Sequence, residues 1–223
     1  MRPFWIGVML TLLLTACAHS KAPMPSAAPT SSVHRTAVNP ANIKRVVREL
    51  PPKYEVTTGI PTAMSPRVIW SRDTDGTVKP PQCATLADPG DGRDQSAQGV
   101  SGSGAGGVID AIVVSLPGPA VLDQDVVATC GQWSMASAQT TIRVRLTDPP
   151  HIDGAETVGM VADIKSSVES GTEIDSRTYT FIAYLGDYYA FTTLATDPGS
   201  AVPALPPQFA ADLLVKTVST LRS

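Results

Sequence analysis

Between Thr141 and Thr196 apolar and polar residues repeatedly trade places with a period of two, and this alternation constrains the fold more than any other feature of the chain. In Thr141-Ile-Arg-Val-Arg-Leu146 every second residue is apolar. Successive side chains of an extended backbone point to opposite faces, so the pattern predicts a half-buried strand. Residues 157–166 continue it, with Val158, Met160, Ala162 and Ile164 on one face. Residues 178–185 and 188–196 flank Gly186-Asp187, a hairpin signal. Runs of strands without regular helical crossovers argue against a parallel sheet and for an antiparallel one.

The earlier part of the chain supplies helices and more strands. Asn39-Pro40 suits a helix start, and Ile43, Val46, Val47 and Leu50 follow at amphipathic spacing until Pro51-Pro52. A short strand is expected at Tyr54–Thr58, and residues 59–95 read as irregular with short helical pieces. One of these, opened by Pro80-Pro81, carries Cys83, Leu86 and Ala87. Ser96–Ser101 is expected to pair with the β-rich stretch 107–116 across a glycine turn. Val121–Trp133 reads as a helix carrying Cys130, and Pro207–Leu221 as a terminal helix with Phe209, Leu213, Leu214, Val218 and Leu221 on its face. The expected class is α+β: an antiparallel sheet of about five to seven strands with helices packed on one face.

The amino terminus has the build of an export leader. Arg2 precedes an apolar stretch from Phe4 to Leu14, interrupted only by Gly7 and Thr11. As a helix that stretch is roughly 15 Å long, against about 30 Å of bilayer hydrocarbon, which suits a signal core and not a permanent span. Leu14-Thr15-Ala16-Cys17 then matches a lipobox, an aliphatic residue and two small ones before the cysteine whose thiol accepts diacylglycerol. The sequence therefore predicts a signal peptide over 1–16, a lipidated Cys17 heading a Ser/Pro/Ala-rich tether over 17–38, and a single domain over 39–223. One acyl chain anchors only marginally, at about 0.8 kcal/mol per buried methylene, so stable attachment takes two or three. The expected location is the outer face of the cell membrane.

With Cys17 modified, Cys83 and Cys130 remain. In an oxidising compartment an even number of thiols usually pairs, so a Cys83–Cys130 disulfide is predicted, with two separate buried thiols as the alternative. A metal reading fails for want of C-x-x-C or a neighbouring histidine. The formal net charge is −3 and no Lys/Arg run occurs, which argues against a nucleic-acid partner.

Few residues invite a chemical reading. Gly102-Ser-Gly-Ala-Gly-Gly107 satisfies G-x-G-x-x-G, but a strand follows where a helix should receive a pyrophosphate, so a turn explains it. No G-x-S-x-G elbow occurs, and His151 is the domain's single histidine, a general base only if a serine and a carboxylate converge on it. Asp73 and Asp75, and Asp88, Asp91 and Asp94, are read as solvated turn carboxylates, since neither group completes a known Ca²⁺ loop. Trp70 and Trp133 are expected in the core. Tyr188 and Tyr189 must face opposite sides of a strand, leaving one of them half-buried under the last helix or lining a ligand surface.

Several stretches carry a resemblance: Leu50-Pro-Pro-Lys-Tyr-Glu-Val56, Pro80-Pro-Gln-Cys-Ala-Thr-Leu-Ala-Asp-Pro89, Gly104-Ala-Gly-Gly107 before a strand, and Cys130-Gly-Gln-Trp133. On these the chain resembles small actinobacterial, especially mycobacterial, lipoproteins of unassigned function, a group similar to the extracytoplasmic sensor domain of the PknH-type receptor kinase. The resemblance implies an antiparallel sheet with flanking helices and a cleft for an unknown ligand. That sensor domain generally has two disulfides, whereas this chain can form one. No cofactor and no catalytic residue is implied. The functional expectation is a non-enzymatic binding or sensor-like module whose ligand is a small molecule, a lipid or an envelope protein. The alternatives are a lipid or glycolipid carrier, and a hydrolase built around His151.

Overall fold

The period-two runs close up into one antiparallel sheet. The computed structural model describes residues 37–71, 76–167, 171–197 and 201–223; residues 1–36, Cys17 among them, and residues 72–75, 168–170 and 198–200 lie outside the described residues. The strands are β1 (Glu55–Thr57), β2 (Thr77–Lys79), β3 (Ser96–Gly104), β4 (Gly107–Ser115), β5 (Gln132–Ala136), β6 (Thr140–Thr147), β7 (Glu156–Ser167), β8 (Glu173–Tyr184) and β9 (Tyr188–Thr196). Their spatial order is β1-β3-β4-β9-β8-β7-β6-β5-β2, so this nine-stranded sheet exceeds the five to seven strands expected. Two strands account for the difference. β2 has three residues, too few for a periodic signal. β5 lies where a longer helix was expected: only Gln124–Thr129 is helical (α3 below), and the chain turns at Cys130-Gly131 into an extended segment that buries Trp133 and Met135.

Helical segments occupy both faces of the sheet, not one. A 3₁₀ helix at Pro40–Glu49 starts at Asn39, whose side chain accepts from the Ala41 amide at 3.1 Å, and buries Ile43 and Val46. α1 (Pro66–Trp70), α2 (Ala84–Ala87, entered through a 3₁₀ turn at Pro81–Cys83), α3 (Gln124–Thr129) and α4 (Pro207–Leu221) complete the set. On β4 adjacent side chains divide the core in two. Ile109, Ala111 and Val113 pack with the 3₁₀ helix and with Leu213, Leu214, Val218 and Leu221 of α4. Ile112 and Val114 pack instead with Trp70 of α1 and Cys83, Leu86 and Ala87 around α2. Each such fully buried aliphatic side chain contributes about 1.5–3 kcal/mol.

Cys83 and Cys130 form a disulfide, with Cα atoms 5.7 Å apart. It ties the α2 turn to the end of α3 on the face that holds the paired rings of Trp70 and Trp133, whose centroids are 5.9 Å apart. The glycine-rich stretch is the β3–β4 hairpin. A Cβ on Gly104 would lie 2.4 Å from the ring of Tyr54, and Gly107 has φ +125° with the Ala195 carbonyl 2.4 Å from where its Cβ would be. The run of small residues therefore lets an aromatic ring and a neighbouring strand approach the backbone, which explains its composition without a nucleotide.

Candidate functional site

The last helix covers only part of its face. The 3₁₀ helix and α4 rest on β3, β4, β8 and β9; among the described residues no helix continues that face over β6, β5 and β2, and on β7 Val161 is buried while Asp163 and Lys165 reach solvent. The alternation seen in Thr141–Leu146 accounts for this. Ile142 and Val144 point into the core on the disulfide side, which leaves Arg143 and Arg145 on the open side. Register extends the pattern: Lys79, Ser134, Arg143, Asp163 and Arg177 form one cross-strand row over β2, β5, β6, β7 and β8. Gln132 and Arg145 stand side by side in the next row.

These side chains border a groove of about 420 Å³ lined by Lys79, Gln132, Ser134, Arg143, Arg145 and Asp163. The Arg177 Nε donates to Asp163 Oδ1 at 2.5 Å, and Arg145 Nη1 lies 4.0 Å from the other carboxylate oxygen. Hydrogen bonding to Asp163 pushes the Arg177 guanidinium above its ordinary value. Lys165, on the same face, is matched by Asp175 at 3.2 Å and Glu173 at 3.9 Å. Among the described residues Lys79 and Arg143 have no acidic partner within salt-bridge distance. No Lys/Arg run announced this patch, because Lys79, the Arg143–Arg145 pair and Arg177 come from three strands.

A second polar feature is buried. Ser101, Asp110, Thr193 and Thr180 follow one another across β3, β4, β9 and β8, and the indole Nε1 of Trp70 donates to Thr180 Oγ1 at 3.1 Å. Asp110 is 8% exposed, and the Thr193 hydroxyl donates to it at 2.7 Å. Burial pushes its carboxyl above the usual 3.8, while hydrogen bonds from Ser101 and Thr193 oppose the rise. The native state thus holds this proton to higher pH than the unfolded chain does. Its stabilising contribution is complete below the ordinary carboxylate value and is lost as pH rises through the raised one. Asp110→Asn, which carries no titrating proton, should gain stability relative to the parent chain as pH rises above about 4. Urea midpoints of both proteins across the acid range check this; a difference that does not change with pH would refute it.

The other residues singled out by sequence are dispersed. His151 Nε2 lies 3.1 Å from Asp153 Oδ1, but both side chains stand in solvent, at 90% and 102% of full exposure. Ser219 and Ser223 border the same shallow cleft, yet Ser223 Oγ is engaged with Thr220 and Arg45 instead. Among the described residues no serine hydroxyl is hydrogen-bonded to His151. Asp88 is partly buried and its carboxyl is raised by that burial, whereas Asp73 and Asp75 lie outside the described residues. Among the described residues no group of three or more His, Cys, Asp or Glu side chains is placed to hold a metal ion. Tyr189 is buried on the disulfide face, where its hydroxyl donates to Met64 O and Gln95 Oε1. Tyr188 packs at the edge of the α4 core. A further cleft of about 340 Å³ lies beside Phe209, Leu213 and Val215, crossed by the Lys216–Glu49 ion pair at 2.7 Å.

The fold is shared with a protein of solved structure. A crystal structure of an uncharacterised Mycobacterium smegmatis protein, an Rv0999 ortholog, aligns with TM-score 0.63 at 20% identity, covering 83% of this chain and 98% of that one. The extracellular domain of PknH from Mycobacterium tuberculosis aligns with TM-score 0.38 at 12% identity, covering 82% of this chain and 92% of that one. No curated protein matches significantly in sequence. A family model does match, over residues 39–222, which spans the sheet, both cores and the open groove: the chain belongs to the family described as Domain of unknown function (DUF5642).

Proposed function

We propose that this chain is a non-enzymatic binding module of the cell envelope, anchored by lipid on Cys17 and engaging its ligand through the uncovered half of the sheet. The observation that carries the reading is the open face itself. The solvated side of an antiparallel sheet is ordinarily polar; here Lys79 of β2 and Arg143 and Arg145 of β6 border a single groove, while the helices of that face cover β3, β4, β8 and β9. Supporting the anchor are the short apolar leader and the lipobox ending at Cys17. Among the described residues no helix is long and apolar enough to cross a membrane.

Two measurements test the two halves of this reading. The Cys17→Ser chain, expressed in a host that processes lipoproteins, should lose metabolic palmitate label and move from the membrane to the soluble fraction; continued membrane retention would remove the anchor. The processed chain, solubilised in detergent and incubated with envelope extract, should hold a ligand or protein adduct in native mass spectrometry. A spectrum without any adduct would count against a binding role.

A further inference from the structure

We propose that the groove between β2, β5 and β6 is a binding site for a small soluble ligand carrying a phosphomonoester or diphosphate group. The inference rests on the binding reading above and names the ligand class for that site. Its basis is local charge. Lys79, Arg143 and Arg145 line the groove with a single carboxylate, Asp163, which Arg177 engages from the next strand, in a chain whose formal net charge is −3. Asp163 is already engaged by Arg177 at 2.5 Å and stands 4.0 Å from Arg145, so it does little to neutralise Lys79 and Arg143.

Geometry narrows the ligand. Arg143 and Arg145 are two residues apart on one face of β6, and Lys79 occupies the Arg143 row with Ser134 between them. All the groove's side-chain polar groups except Asp163 can donate: the guanidiniums, the ammonium, the Ser134 hydroxyl and the Gln132 amide. Guanidinium forks match tetrahedral and planar oxyanions bidentately. A monocarboxylate would be matched by one such fork, whereas the two unpaired cations Lys79 and Arg143, with Arg145 beside them, suit a group of charge near −2, as a phosphomonoester has above its second pKa of about 6. The groove's volume, about 420 Å³, is within the range of small-molecule pockets.

The test uses the processed full chain in detergent, titrated calorimetrically with pyrophosphate, inorganic phosphate and acetate at low salt. Pyrophosphate should bind saturably and more tightly than acetate, and its affinity should fall as salt is raised. Arg143→Gln and Lys79→Gln should each weaken it by about tenfold, the loss expected for one hydrogen bond to a charged group. Arg48→Gln, on the far 3₁₀ helix, should leave it unchanged. All three residues are exposed, and unchanged thermal melts confirm that the variants fold. Absence of saturable pyrophosphate binding, or equal affinity in the groove variants, overturns the proposal. So does binding confined to vesicles of phosphatidylcholine with cardiolipin, which would make the patch a membrane-facing surface. An envelope adduct that persists unchanged in Arg143→Gln would leave the binding module standing and remove only the phosphate assignment.

Discussion

Replacing both Cys83 and Cys130 with alanine should lower the stability of the oxidised protein by about 4 kcal/mol. The sulfurs close a loop between residues 47 positions apart, and the chain-entropy model gives that value for a loop of this size. Truncating the bridge also removes two fully buried sulfurs from the core they share with Leu86 and Ala87, which adds to the loss. The effect should not spread evenly. The bridge staples α2 and α3, both short, to the outer end of the sheet, while the other core is held by α4 and the 3₁₀ helix. Amides around residues 81–88 and 124–130 should therefore lose hydrogen-exchange protection before those of β4 and β9 do. Urea unfolding with and without reductant, beside the double-alanine variant, checks the size; exchange measured by mass spectrometry checks the place. A reduced protein with an unchanged midpoint would show that the surrounding packing alone holds these turns.

Phe191→Ala should cost about as much, 3–5 kcal/mol. Phe191 is wholly buried at the middle of β9, where it lies opposite Ile112 of β4 and Ile182 of β8 and stacks on Tyr189 with centroids 6.0 Å apart. Central strands cannot shift to fill such a hole, because both neighbours fix their register through continuous hydrogen bonds, so most of the vacated volume should persist as a cavity. Phe191→Leu should recover much of the loss by returning volume without the ring contact. Denaturant midpoints for the three proteins decide this, and a small loss in Phe191→Ala would mean that Tyr189 and the strands beside it relax freely into the space. The pair of tyrosines makes the contrast between the two faces plain. Tyr189 shares Phe191's side of β9 and is buried with its hydroxyl bonded, while Tyr188 faces α4 and keeps partial access to solvent.

Much of this fold was legible where residues report on their immediate surroundings. The alternation of Thr141–Leu146, the Gly186-Asp187 turn and the apolar face of Pro207–Leu221 each specify a local conformation and the side it buries, and β6, the β8–β9 hairpin and α4 follow them. The disulfide was legible too, through arithmetic on three cysteines. Legibility fails where a short segment takes its conformation from its neighbours. β2 has three residues and forms by pairing with β5. β5 itself follows Val126-Val127-Ala128, whose apolar run suits a helix as well as a strand, and it extends only because Trp133 and Met135 find a core between β2 and β6.

By itself, the sequence determined how the longer strands alternate and which side of each is buried, since period is a property of neighbours along the chain. Only the tertiary structure decided the sheet's order, the division of the helices between its two faces and the site. Lys79, the Arg143–Arg145 pair and Arg177 are far apart in sequence and look like ordinary solvent-side residues of three strands. They share one face because antiparallel register sets them in one row and its neighbour, and because α4 rests elsewhere on the sheet, so that Lys79, Arg143 and Arg145 border a groove with Arg177 behind Asp163. Charge adds up in space, and its sum depends on distances that no stretch of a single strand contains.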